Sequence, residues 1–192
     1  GKNILYVPTG YDCTVWKPVG VKVPVVLTVA IVRDDCRVRL KGIDVLVEVA
    51  RNFPDLRFIV VGIEPEIAVA LQPPPNMTLH PVMSREKLLP FYQHAKVYCQ
   101  PSLREGLPNT LCEAMLCGCI PVATDVGGNP SAVGDAGILV PPGNVDELAT
   151  ALRHALRMDE SMELKARARI VSLFPKEKRE IELIRIVRGL TS

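Results

Sequence analysis

Short runs rich in valine and isoleucine, each too brief for a buried helix, constrain this chain more than any other feature. They are Pro24–Val32, Leu56–Val61, Met77–His80, Val97–Cys99, Ile120–Ala123 and Gly137–Val140. Continuous apolar runs of this length read as strands buried on both faces, the habit of parallel sheets. Helical stripes alternate with them. Ile43, Leu46, Val47 and Ala50 form one, starting at about Gly42, and Leu88, Leu89, Tyr92 and Ala95 form another behind the cap candidate Ser84. Leu148, Ala151, Leu152, Ala155 and Leu156 form a third, with Asn144 and Glu147 spaced as a capping box. Strand–helix alternation of this kind predicts an α/β domain with a doubly wound, Rossmann-like parallel sheet. Pro73–Pro75 reads as a rigid surface turn, and no internal repeat is visible, so residues 1–192 are expected to form one domain.

The segment most informative about function is Pro101-Ser-Leu-Arg-Glu-Gly-Leu-Pro-Asn-Thr-Leu-Cys-Glu113. An apolar run from Ala95 to Cys99 leads into it, and a helix-like run ending at Gly118 follows. Strand, polar turn and helix put Glu105 on the loop and Glu113 one helical turn in. Open α/β sheets bind ligands at such mouths. Asn109 is expected to cap the helix, leaving free N–H groups directed at the mouth. Helical side chains lean toward the N-terminus, so Glu113 can reach the same place. Two carboxylates beside an anion-attracting helix end suit a ligand with both hydroxyls and phosphates, such as a nucleotide-sugar. Each carboxylate alone has a plain explanation, since the macrodipole favours a first-turn Glu and loop Glu residues are usually solvated.

The frame makes the pattern specific. Glu105 to Glu113, continued by Ala114-Met-Leu-Cys-Gly-Cys-Ile-Pro-Val-Ala-Thr-Asp-Val-Gly-Gly128, resembles the Glu-x7-Glu signature of retaining glycosyltransferases of family 4. That family has the two-domain GT-B fold. The resemblance runs from Val7 to about Leu156 and is dense from Pro101 to Gly143. It implies transfer of a sugar from a nucleotide-sugar donor with retention of configuration, this chain supplying the C-terminal, donor-binding half. Glu105 would then hold donor-sugar hydroxyls and steady charge at the anomeric carbon. Glu113 would bind the ribose diol. The backbone from Gly106 through Leu107, Pro108 and Asn109 to Thr110 would turn its N–H groups, of which Pro108 has none, toward sugar and phosphate oxygens, and Val82 and Met83 would flank the base.

Lys41 lies in the loop after the first long strand, on the rim that also carries Glu105, where it can neutralise a leaving diphosphate. The family has a Lys-Gly there, preceded by an arginine. Here the family's Gly-Arg reads Ala30-Ile31, and three arginines follow in a longer loop. Arg33 is the first choice for a second cation, with Arg37 or Arg39 as fallback. The family's Gly-x-Gly reads Gly62-Ile-Glu64, and its Glu after the Gly-Gly pair reads Ser131. No cofactor and no metal are expected, since cations and the helix end carry the charge. Two rival readings stay open: a non-catalytic nucleotide-sugar-binding module, and a GT-B epimerase acting on a nucleotide-sugar.

Ile4–Asp12 resembles the start of the family's second domain, so an N-terminal acceptor domain is expected to be missing. Any peripheral membrane contact would come only through it. Ile181, Leu183, Ile184, Ile186, Val187 and Leu190 spread around more than one face of a terminal helix, which suits burial against a further domain. With a net charge of +2 and no basic cluster interleaved with aromatics, nucleic acid is not an expected partner. No apolar run is long enough to span a bilayer, and no signal peptide opens the chain. Six cysteines do not form a secreted disulfide framework, and Cys112, Cys117 and Cys119 lack zinc-site spacing, so a cytoplasmic setting is expected. His80, His94 and His154 lie in no constellation with a nucleophile, so they read as structural.

Overall fold

The computed structural model describes residues 7–190, with side chains through residue 188. Residues 4–6 of the proposed domain-start segment, and the side chain of Leu190, lie outside the described residues. All six apolar runs are strands: β1 (Val23–Val32), β2 (Phe58–Ile63), β3 (Met77–His80), β4 (Ala95–Gln100), β5 (Ile120–Thr124) and β6 (Ile138–Val140). They make one parallel sheet in the order β3-β2-β1-β4-β5-β6. The chain winds outward from β1 in one direction and from β4 in the other. The crevice between the carboxyl ends of those two central strands is therefore the topological switch point, where such sheets bind ligands.

Successive strand residues point to opposite faces, and the core divides accordingly. Val26, Val97, Cys99, Ile120 and Val122 face α2 (Ile43–Asn52) and α7 (Val145–Arg157). Leu27, Val29, Tyr98 and Ala123 face α4 (Arg85–His94), α5 (Asn109–Leu116) and α8 (Glu160–Leu173). The stripe on α7 buries Leu148 and Leu152 almost completely, each contributing about 1.5–3 kcal/mol. That helix starts at the expected cap: Asn144 accepts from the Glu147 amide at 3.1 Å and donates to its carboxylate at 2.6 Å.

Three local expectations need correction. The basic stretch after β1 is not a long loop. Asp34 caps a short helix there, α1 (Asp35–Leu40), by accepting from the Arg37 amide at 2.7 Å. Ala95 belongs to β4 and not to the helix before it: it takes an extended conformation and pairs with Val23 of β1, so α4 ends at His94. Asn109 is not the cap of α5. Pro108 occupies that position, and Asn109 is the first helical residue, its side-chain carbonyl accepting from Tyr11 Oη at 2.8 Å. Two further helices, α3 (Pro65–Leu71) and α6 (Asn129–Val133), are too short to be legible as stripes.

The last helix, α9 (Lys176–Leu190), joins the N-terminal segment. Tyr11 pairs with Pro175 in a bridge, and Arg179 donates to the carbonyls of Val7 and Pro8 at 3.2 and 2.6 Å. Its apolar excess is not absorbed by the domain: Ile181 is 65% exposed and Ile184 52%.

Candidate functional site

Two glycine contacts bring the candidate residues together at the switch point. Gly42 has φ +64°, and a Cβ there would overlap the carbonyl of Pro101. The start of α2 can thus lie directly on the chain leaving β4, a left-handed position that glycine alone takes without strain. The Leu103 amide bonds the Leu40 carbonyl at 2.9 Å across the same junction. On the far side, Gly127 and Gly128 lie against the backbone of Glu105 and Gly106, where side chains would collide with both carbonyls.

Held between these contacts, Lys41 Nζ lies 2.5 Å from Glu105 Oε1. Their side chains are only 19% and 10% exposed. Gln100 Nε2 and Ser102 Oγ also donate to that oxygen, at 2.8 and 2.7 Å. Gln100 and Ser102 are buried, and sequence reasoning passed over them. The available signal was a glutamine directly after the run Val97–Cys99.

Glu113 opens into a neighbouring cavity of about 510 Å³, lined also by Tyr11, Trp16, Arg85 and Asn109. Burial raises its carboxyl pKa above the ordinary glutamate value, opposed by the Arg85 charge and a hydrogen bond from Tyr92. Both opposing contacts are long: Tyr92 Oη is 3.3 Å from Oε2, and Arg85 Nη2 is 3.7 Å from Oε1. Arg85 lies over the Trp16 ring at 5.1 Å and is 65% exposed, so water screens its charge. Glu113 is therefore a desolvated carboxylate with weak partners. Burial and nearby carboxylate charge also push the Tyr92 phenol up, keeping it a neutral donor. Arg85 was missed because its first-turn position on α4 gives no apolar or motif signal.

The first amides of α5, at Asn109, Thr110 and Leu111, lack a carbonyl one turn back and face the same edge. Gly106 and Asn109 are exposed, Leu107 and Thr110 half-buried and Pro108 buried. Val82 is exposed on the loop before α4 and Met83 packs against the α4–α5 core; neither lines the Glu113 cavity. Arg33, largely exposed, leans toward the half-buried Glu64 at 3.8 Å, the residue standing where the Gly-x-Gly pattern would end. Arg33 and Arg37 line a second cavity of about 440 Å³ with Ile31 and Asp34; Arg39 is not among its lining residues.

The remaining candidates fall outside these cavities. Ser131 is exposed, and its carbonyl accepts from Arg169 at 2.9 Å. His80 packs edge-on against Phe91, and His94 Nδ1 is 2.7 Å from the Pro90 carbonyl. Cys112, Cys117 and Cys119 are buried thiols, and burial pushes the first two up to about 12 and the third to about 11. No helix among the described residues is long and apolar enough to cross a membrane.

The sequence profile of the family described as Glycosyl transferases group 1 matches residues 23–158, more than half of the chain. The chain belongs to that family. It is 35% identical over 130 residues to D-inositol 3-phosphate glycosyltransferase of Mycobacteroides abscessus, covering 61% of this chain and 29% of that protein. Among solved structures, sucrose-phosphate synthase from Thermosynechococcus elongatus superimposes with a TM-score of 0.81 at 24% identity, over 96% of this chain and 52% of that one. HepE of Anabaena, solved in complex with UDP-glucose, superimposes with a TM-score of 0.79 at 17% identity, over 94% and 56%. At these identities the likeness is one of fold, and it is the GT-B type that both neighbours share. This glycosyltransferase domain thus spans about half the length of the solved relatives and less of the curated one.

Proposed function

We propose that this chain is the donor-binding half of a retaining, metal-independent glycosyltransferase, completed by an acceptor-binding domain. One observation carries the reading. The Lys41–Glu105 pair and the desolvated Glu113 lie at one sheet edge, Glu105 on the loop that leads into α5 and Glu113 in that helix. A nucleotide-sugar presents chemistry to match each part. The ribose diol would supply Glu113 with the donors it lacks. The diphosphate would meet the α5 amides and Lys41, which carries three N–H groups and directs only one at Glu105. Arg33 and Arg37 would add positive charge from the second cavity. Val82 and Met83 would flank the base.

Glu105, anchored beside Lys41, would face the sugar and steady positive charge at its anomeric carbon as the bond to the diphosphate breaks. Lys41, the arginines and the helix amides would hold the leaving charge, so no divalent cation would be needed. Relatives carry the donor class: a named glycosyltransferase in sequence, and a UDP-glucose complex in fold. The non-catalytic and epimerase readings are less economical. A binder needs only Glu113 and the amides, and an epimerase needs an acid/base pair beyond the two glutamates.

The test is a thermal-shift panel of UDP, GDP and ADP with their sugar conjugates, followed by calorimetry of the best pair. A native-state ligand raises the melting temperature by an amount that grows with the logarithm of its concentration over its dissociation constant. At least one nucleoside diphosphate should do so, with no change on adding EDTA. A panel in which none shifts the melting temperature would defeat the proposal, and a strict EDTA effect would defeat its metal-independent part.

A further inference from the structure

Glu105 has two oxygens, and the fold treats them differently. Oε1 accepts from Lys41 Nζ, Gln100 Nε2 and Ser102 Oγ. Oε2 accepts from no described residue. Three donors crowd one oxygen of a side chain that is nearly buried, and the other oxygen is left for whatever enters the crevice.

The donors are themselves held from behind. Gln100 is 3% exposed and Ser102 fully buried. Gln100 Nε2 also reaches Ser102 Oγ at 3.0 Å, so the amide and the hydroxyl act as a unit. The Gln100 carbonyl faces Tyr98 Oη at 3.1 Å and Thr110 Oγ1 at 3.5 Å. Two hydroxyls on one side and a carboxylate on the other leave the amide a single sensible orientation, NH2 toward Glu105. Tyr98 is anchored to the backbone of Val29 on β1, through contacts at 3.3 and 3.2 Å. Thr124 on β5 donates to the Ser102 carbonyl at 2.5 Å, and Asn129 in turn donates to the Thr124 carbonyl at 2.9 Å. The network therefore crosses the adjacent strands β1, β4 and β5 and ends on one oxygen.

We infer that Gln100, with Ser102, is a positioning residue: it fixes Glu105 through Oε1 so that Oε2 alone meets the donor sugar. A neutral amide suits the task. It orients the carboxylate without neutralising it, whereas a second cation would weaken its pull on a developing positive charge. Lys41 cannot do this alone, because its long chain must also serve the phosphates. This inference rests on the reading that Glu105 faces the sugar, and goes beyond it by assigning how the carboxylate is aimed.

The experiment is calorimetry on the 192-residue chain with UDP against UDP-glucose, UDP against UDP-N-acetylglucosamine, and GDP against GDP-mannose. The quantity read is the ratio of nucleoside-diphosphate to nucleotide-sugar dissociation constants for the best pair. Gln100→Leu should lower that ratio several-fold, to the value of Glu105→Ala, while diphosphate affinity stays within about twofold. In the Glu105→Ala background Gln100→Leu should change nothing further, since coupled residues do not add. Ser102→Ala should give a smaller loss, and Gln100→His, which keeps a ring N–H donor, should restore part of the ratio. Gln100→Glu should make the ratio depend on pH, because adjacent carboxylates share a proton.

An unchanged ratio in Gln100→Leu, additive losses in the double variant, or equal weakening of both ligands would each overturn the inference. If Gln100→Leu does not fold, Ser102→Ala and Gln100→Glu decide by the same ratio. A wild-type chain that binds diphosphate but gains nothing from the sugar would sink this inference and leave nucleotide binding standing. A chain that binds no nucleotide would remove both.

Discussion

Replacing Glu113 with glutamine should strengthen the ligand-free domain at neutral pH and, by the same change, weaken nucleotide binding. The carboxylate is desolvated, its phenol partner is 3.3 Å away and its guanidinium partner 3.7 Å away and mostly in water. Burial raises its pKa above the ordinary value, so folding takes up a proton in the window between the unfolded and folded values. Below the unfolded value, about 4.3, both states are protonated, and the wild type should match the glutamine variant. As pH rises through the raised folded value the wild type loses stability and the variant does not. The ribose diol should reverse the balance. Its hydroxyls donate to a charged acceptor, worth about 1.5–3 kcal/mol, so Glu113→Gln should raise the nucleoside-diphosphate dissociation constant about 10- to 150-fold. Urea unfolding from pH 4 to 8 and calorimetry with the best-bound nucleoside diphosphate and its 2′-deoxy form measure the two halves. A variant less stable than wild type at neutral pH, or one that binds that diphosphate equally well, would refute the reasoning.

Lys41→Ala should weaken the best-bound nucleoside diphosphate far more than its nucleoside in calorimetry. It should also destabilise the chain by about 3 kcal/mol in urea melts, the low end for breaking a buried pair because neither side chain is wholly enclosed. Adding Glu105→Ala should recover part of that loss, since no carboxylate is then left without its cation. Gly42→Ala forces a left-handed residue, about 1–2 kcal/mol, and drives a Cβ into the Pro101 carbonyl. Its melting temperature should fall by more than the backbone term alone requires, with loss of diphosphate binding as Lys41 shifts. The isolated chain should transfer no sugar in a radiolabel assay, because one wall of a crevice neither aligns nor dries the reactants; transfer without a partner would place the acceptor site inside this domain.

Much of the architecture was legible in the residues because it is local. Val and Ile runs without periodicity, such as Ile120–Ala123, have no stable place except a strand covered on both faces. The α7 stripe and its Asn144–Glu147 cap are set within a few residues of chain. Glu105 and Glu113 stood out by their spacing within one short segment. What the sequence did not reveal lies wherever distant segments meet. Asn109 looked like a cap by type, but Tyr11, 98 residues earlier, takes its side chain. Arg33 was the first choice for a second cation, but the sequence could not show that it leans to Glu64 on the neighbouring strand's loop or that Arg37, on the helix capped by Asp34, lines the same cavity.

Lys41 meets Glu105 across 64 residues because β1 and β4 lie side by side and Gly42 can touch Pro101. Strand order is chosen by packing the whole sheet, not by either segment. Residue type and period therefore announced the strands, the helices α2, α4, α5, α7 and α9, and the two carboxylates. Only the tertiary structure decided which oxygen of Glu105 is bound, and how far Glu113 is stripped of water, since both depend on groups brought together from the full length of the chain.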